Sequence, residues 1–244
     1  MAAPPACCAS RKPLEHAYAT QGRLEQLGDL PVYASGRPGS QLGLVMIPDI
    51  FGFEFHQSFQ VADRFASEGF RVILIDCFRG KPWPYAEMPF KPEDDFPGWL
   101  ARNGSWERLR PDVHVAAARL QAEGATKLGC VGFCWGVSIA LTAGQDPSLF
   151  SVVGGAHPTL FGRELEFAEK VQVPVVLLPS GEDASTDPIK AVLDKRPYGK
   201  LCVYQRFDDQ VHGFMAARGD FKDPRVAAAA GRGVELIAEA IKAA

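Results

Sequence analysis

From residue 42 to the C-terminus, short apolar runs alternate with longer amphipathic stretches. Residues 42–48 (LGLVMIP), 71–76 (RVILID), 128–133 (LGCVGF), 151–156 and 173–179 (VPVVLLP) are too short for helices and show no polar alternation. They predict strands buried on both faces. Residues 201–207 predict a last strand. Between them, Phe55, Phe59, Ala62, Phe65 and Ala66 recur at helical spacing, predicting a helix over 56–68 that Gly69 stops. Trp106, Leu109, Val113, Ala116, Ala117 and Leu120 share one helical face, ended by Gly124. Further helices are predicted over 135–144, 188–193 and 224–243. Residues 26–34 predict an edge strand, because Pro31 has no N–H to give to a ladder. The Pro-, Gly- and aromatic-rich segment 77–97 is too long for a tight connector and predicts a lid or a substrate wall. Strand–helix alternation of this kind implies an α/β fold, with a mostly parallel central sheet and helices on both faces. No internal repeat or linker interrupts it. Residues 23–244 therefore read as one α/β domain behind an irregular extension, 1–22.

Composition narrows the function. The chain has 244 residues and a formal net charge of −3, so it lacks the basic footprint of a nucleic-acid or anionic-membrane binder. No apolar run reaches the roughly 18 residues of a transmembrane helix. The first residues lack the apolar core of a secretory signal. A cytoplasmic location is expected, with a short organelle transit segment left open. Cysteines stand at 7, 8, 77, 130, 134 and 202, with no C-x-x-C pair and no zinc spacing. Cys77, Cys130 and Cys202 fall in apolar runs and are expected to be reduced core residues. No metal site is expected. Monomer and small homo-oligomer both remain open.

The candidate chemistry centres on Gly132-Phe133-Cys134-Trp135-Gly136. A strand runs into Cys134 and a helix leaves it. This G-x-C-x-G pattern has the form of a nucleophile elbow with sulfur in place of a serine oxygen. The glycines allow strand and helix to approach closely. At a helix N-terminus a thiolate is favoured over a thiol. The plain alternative, a small buried hydrophobe, loses ground because other chemistry-bearing residues follow in a meaningful order. Asp49, Cys134, Asp183 and His212 all fall just after a predicted strand or one loop further, where such sheets gather reactive groups. The order nucleophile, acid, histidine matches the hydrolase elbow. His212 can take the Cys134 proton, and Asp183 can fix its tautomer.

The chain resembles the dienelactone hydrolases, or carboxymethylenebutenolidases, from about residue 25 to its end. The resemblance is carried by PDIFG at 48–52, DCFRG at 76–80, GFCWG at 132–136, SGED at 180–183 and HGF at 212–214. It implies an α/β-hydrolase core of the eight-stranded type, open to loss of the first strand, and an enzyme that needs no cofactor. It implies Cys134 as nucleophile, His212 as base and Asp183 as orienting acid. The backbone N–H groups of Ile50 and Trp135 would form the oxyanion hole. Arg79 matches the position that binds the substrate carboxylate, and Arg218 is the candidate for a second. Trp83, Tyr85 and His157 are candidates for the pocket wall. The sequence departs from the family at Asp49, where glutamate is usual; that glutamate shuttles between the resting thiol and the substrate-bound site, and aspartate is one methylene shorter.

The expected function is hydrolysis of a small lactone or ester, dienelactone-like and carboxylated, through a thiolester on Cys134. Two alternatives stand beside it: a broad esterase or thioesterase, and a non-catalytic binding protein on a hydrolase fold. A redox role is disfavoured because Cys134 has no evident resolving cysteine.

Overall fold

The computed structural model describes residues 12–15, 17–91 and 94–244. Eight strands form one sheet: β1 (Arg23–Leu27), β2 (Leu30–Ser35), β3 (Leu42–Ile47), β4 (Arg71–Ile75), β5 (Lys127–Phe133), β6 (Val152–Ala156), β7 (Val175–Leu178) and β8 (Val203–Tyr204). Their order is β1-β2-β4-β3-β5-β6-β7-β8. β1 and β2 pair antiparallel, β2 meets β4 antiparallel, and all remaining pairs are parallel.

The predicted edge strand is thus a hairpin. Gly28, at φ 67°, turns the chain between β1 and β2. Pro31 is accommodated because the β2–β4 register starts one residue later, at Val32↔Ile75, while the Pro31 carbonyl still accepts from the Asp76 N–H at 2.9 Å. The first strand of the eight-stranded core is therefore present. The last strand is shorter than predicted. Residues 199–201 form a 3₁₀ turn, and beyond β8 one bridge, Ser180↔Phe207, continues the pairing.

The central strands β3 to β7 are buried on both faces because alternate side chains serve two cores, whereas the edge strands β1 and β8 are exposed or half-buried. Leu44, Met46, Val131 and Phe133 belong to one cluster, completed by helices α1 (Gln57–Ser67) and α7 (Pro224–Ala243). Val45, Ile47 and Cys130 belong to the other, under α3 (Trp106–Ala122), α4 (Gly136–Ala143), α5 (Glu164–Lys170) and α6 (Asp187–Leu193). Helix α2 (Phe96–Asn103) and α5 were not predicted, since neither carries a clear apolar stripe; α2 buries only Phe96 fully. Asp95 starts α2 by accepting the Gly98 N–H at 3.0 Å, and Asp223 starts α7 by accepting from Arg225 at 2.9 Å.

Segment 77–91 is anchored to the body at Cys77, Phe78, Trp83 and Met88, which are buried, while the residues between them are largely exposed or half-buried. Its Trp83 is buried among Phe90, Phe96 and Trp99, with ring centroids 5.2–5.4 Å apart. The described part of the N-terminal extension is fastened to the body: the Leu14 N–H donates to the Ala217 carbonyl at 2.8 Å, and the Tyr18 hydroxyl to Asp63 at 3.0 Å. Cys7 and Cys8 lie outside the described residues. Cys77 and Cys130 are buried and unpaired with other cysteines, whereas Cys202 is only partly buried. Among the described residues no helix is long and apolar enough to cross a membrane.

Candidate active site

Strand β5 lies at the middle of the sheet, between β3 and β6, and delivers Cys134 beyond its carboxyl end. Cys134 has φ 57°, a left-handed conformation that a non-glycine residue adopts at a cost. The glycines on either side make this turn possible. A Cβ on Gly132 would lie 2.0 Å from the Gly136 carbonyl carbon, and one on Gly136 would lie 2.8 Å from the Pro48 oxygen. The helix start is therefore pressed against both its own strand and the end of β3. As the N-cap of α4, Trp135 has a backbone N–H with no intrahelical acceptor.

His212 and Asp183 come from loops beyond β8 and β7. The His212 Nδ1–H donates to Asp183 Oδ1 at 2.5 Å, with both side chains buried. This fixes the tautomer that leaves Nε2 available as a base. Asp183 is itself anchored, its Oδ2 accepting from the Ser180 N–H at 2.7 Å and the Ser180 hydroxyl at 2.9 Å. Burial pushes the Asp183 carboxyl up, but the His212 hydrogen bond and the neighbouring imidazoles pull harder, and it settles below the ordinary carboxylate value. The His212 backbone N–H donates to Glu182 at 3.0 Å, so two consecutive acids of the SGED segment hold the histidine.

Cys134, His212, Asp49, Ile50 and Arg218 line one cavity of about 10 Å³. Four of the predicted site regions therefore converge, from the loops after β3, β5 and β8 and the turn that follows. Asp49 is 4% exposed and both its oxygens are engaged: Oδ1 accepts from the Phe51 N–H at 2.9 Å, and Oδ2 from the Ala217 N–H at 3.2 Å. Burial first, and the negative charge of a Cys134 thiolate second, push its carboxyl up to about 6. Arg218 is buried and its guanidinium donates to the His212 carbonyl at 3.4 Å.

Arg79 is placed differently from what the sequence suggested. It does not line the cavity. Its guanidinium makes a two-pronged contact with Asp112 of α3, at 2.7 and 2.8 Å, and reaches Asp29 of the β1–β2 turn at 3.3 Å. Those carboxylates hold its charge more firmly than usual, the Asp112 hydrogen bonds first. Trp83 belongs to the aromatic cluster described above, and Tyr85 is exposed against Phe55. His157 lies behind His212 rather than on the cavity: fully buried, at φ 41°, its ring edge-to-face with His212 at 5.1 Å. Neither of its ring nitrogens has a hydrogen-bond partner, and burial drives its pKa far below the ordinary histidine value.

One neighbour of the sulfur escaped the sequence reading. Thr159 Oγ1 lies 3.6 Å from Cys134 Sγ, and the Thr159 N–H donates to the Cys134 carbonyl at 3.0 Å. A threonine in a loop carries no pattern that would single it out. Ser180, by contrast, was visible within SGED.

A mostly parallel eight-stranded sheet, a strained strand-to-helix bend at Cys134 after its fifth strand, and a hydrogen-bonded Asp183–His212 pair delivered from later loops are the features of an α/β-hydrolase. Within that class the chain belongs to the dienelactone hydrolase family, whose sequence profile matches residues 30–244. It is 31% identical to the hydrolase pyvD of Aspergillus violaceofuscus, over 91% of this chain and 89% of that one. It is 29% identical to dienlactone hydrolase 1 of Gibberella moniliformis, over 74% and 70%. The crystal structure of a dienelactone hydrolase from Anabaena variabilis shares the fold with a TM-score of 0.58, at 14% identity over 93% of this chain and 97% of that one. The protein is accordingly an ester-hydrolysing enzyme that acts on small-molecule esters or lactones.

Proposed function

We propose that Cys134, His212 and Asp183 form a nucleophile–base–acid triad that opens a small ester or lactone through a thiolester. The observation that carries this is the 2.5 Å contact between His212 Nδ1 and Asp183 Oδ1, with His212 and Cys134 on one cavity. In this reading His212 Nε2 takes the thiol proton and Sγ attacks the substrate carbonyl carbon. The C=O electron pair moves onto oxygen, where the backbone N–H groups of Ile50 and Trp135 receive it. A single donor of this kind is typically worth about 3 kcal/mol. The tetrahedral species collapses, His212 returns its proton to the leaving oxygen, and the acyl group remains on sulfur. Water, deprotonated by His212, then attacks the thiolester and frees the acid. Asp183 stays ionised throughout and stabilises the imidazolium.

The substrate's carboxylate, where present, is met by Arg218 rather than Arg79. Arg218 faces the cavity, while Arg79 is matched by two aspartates. Asp49 acts as a fixed charge beside the sulfur. Held by two backbone amides, it does not swing between positions as a longer glutamate would.

Single-turnover kinetics with an activated ester test the triad. Cys134→Ala is expected to abolish the burst and lower kcat by at least about 10³-fold, toward the residual rate left when a nucleophile is removed. Full turnover by Cys134→Ala would end this reading.

A further inference from the structure

The cavity at Cys134, about 10 Å³, has room for roughly one water molecule. The remainder of any ester attacked there has to lie elsewhere. A second cavity of about 630 Å³ lies beneath helix α2, bounded by the start of α3, by α4 and by α5. That volume is in the range of small-molecule sites. Its walls are aromatic at Phe96, Trp106, Trp135, Phe161 and Phe167, and polar along α4 at Ser138 and Thr142, so about half of the lining is polar.

Two chain segments tie this cavity to the sulfur. Trp135 follows Cys134 directly; its backbone N–H belongs to the proposed oxyanion hole, and its indole Nε1–H donates to the Gly104 carbonyl at 3.1 Å. A Cβ on Gly104 would come within 2.9 Å of that indole, so the α2–α3 corner is shaped around it. The loop after β6 forms the second link. Thr159 touches Sγ, and two residues later Phe161 turns into the cavity at φ 56°, followed by Gly162 at φ 75°. Left-handed backbone at a phenylalanine is strain held in place by its surroundings.

Charge at the rim selects the occupant. Arg163 and Lys170 share the single carboxylate of Glu166, at 2.7 and 2.9 Å, and only with Glu107 does the rim come to charge balance. An anionic group gains nothing here, whereas an uncharged apolar one covers the aromatic walls.

We propose that this cavity is a substrate subsite for the neutral, apolar portion of an ester, an alkyl chain of about six carbons or an aryl group, whose carbonyl is presented to Cys134. The proposal rests on the triad reading for the identity of the nucleophile. Two readouts separate the two. The first is the ratio of kcat/KM for p-nitrophenyl hexanoate over p-nitrophenyl acetate, in the wild type and in Thr142→Phe and Ala101→Phe, which fill the cavity from α4 and from α2, both residues lining it. The wild type is expected to favour hexanoate at least tenfold, and each variant to lower that ratio at least tenfold. The second is calorimetric binding of p-nitrophenyl hexyl ether, which cannot be hydrolysed, to Cys134→Ala. Adding Ala101→Phe is expected to weaken binding at least tenfold. Ala101 is exposed, so this variant folds even if Thr142→Phe does not. An unchanged ester ratio together with equal ether affinity overturns the subsite. Turnover surviving in Cys134→Ala, with the ether still displaced by Ala101→Phe, overturns the triad and leaves the subsite standing.

Discussion

Asp49→Asn probes the electrostatics of the site most directly. Burial and the adjacent sulfur lift the Asp49 carboxyl from 3.8 to about 6, against the pull of the Phe51 and Ala217 amides and Arg218. A carboxyl whose folded pKa lies above its unfolded one favours the fold in its protonated form. That contribution is fully present only below the unfolded value of 3.8 and is lost as the pH rises through about 6. A gap of about two pH units corresponds to about 3 kcal/mol, so Asp49 burdens the folded state by about that much at pH 7.5. Asparagine does not titrate. Its carbonyl still accepts from Phe51, but its amide cannot accept the Ala217 N–H, a fixed loss of about 1–3 kcal/mol. The pH-dependent part is separable from that offset. Urea unfolding of both proteins from pH 4 to 7.5 is expected to show the variant gaining about 2.4 kcal/mol relative to wild type across the range. Asp183, whose depressed pKa gives the opposite slope, is present in both proteins and cancels. A difference that stays flat with pH would refute the argument.

Other outcomes follow from the same geometry. In Gly132→Ala the new Cβ meets backbone atoms of Gly136 at 2.0 and 2.1 Å, and ordinary contact starts at 3.4 Å, so the head of α4 has to move by over an ångström. Displacement on that scale is expected to lower kcat about 10²-fold and to cost about 1–3 kcal/mol in urea melts; wild-type values on both would contradict the steric account of the elbow. Asp183→Asn is expected to keep the fold and lower kcat by about 10³–10⁴-fold, because the amide lets the wrong imidazole tautomer form; a loss under tenfold in steady-state assays would remove Asp183 from the triad. Arg79→Ala leaves the largely buried Asp112 carboxylate unmatched and is expected to cost on the order of 2 kcal/mol in stability with KM unchanged, whereas Arg218→Lys is expected to raise KM for a carboxylated lactone over a neutral ester about tenfold. The reverse assignment in a two-substrate comparison would restore Arg79 to the substrate.

What the chain order determined was the framework. Apolar runs too short for helices, separated by amphipathic ones, already dictate a parallel sheet covered on both faces, and Gly132 and Gly136 around Cys134 dictate a strand-to-helix bend. These are local consequences of periodicity and of a missing Cβ, so they are legible without coordinates. So was the succession Cys134, Asp183, His212, because loops at the carboxyl ends of parallel strands meet whatever their spacing in sequence. Partnerships across the fold were not legible. Asp112 sits on the face of α3 that reaches Arg79, and nothing in either neighbourhood announces the pair. Both Asp49 oxygens are held by amides, one of them 168 residues away in sequence. Thr159 reaches the sulfur through a loop with no motif, and α2 roofs the large cavity without an apolar stripe to betray it. Pairing energies and cavities depend on which surfaces the packed sheet brings face to face, and only the tertiary structure decides that.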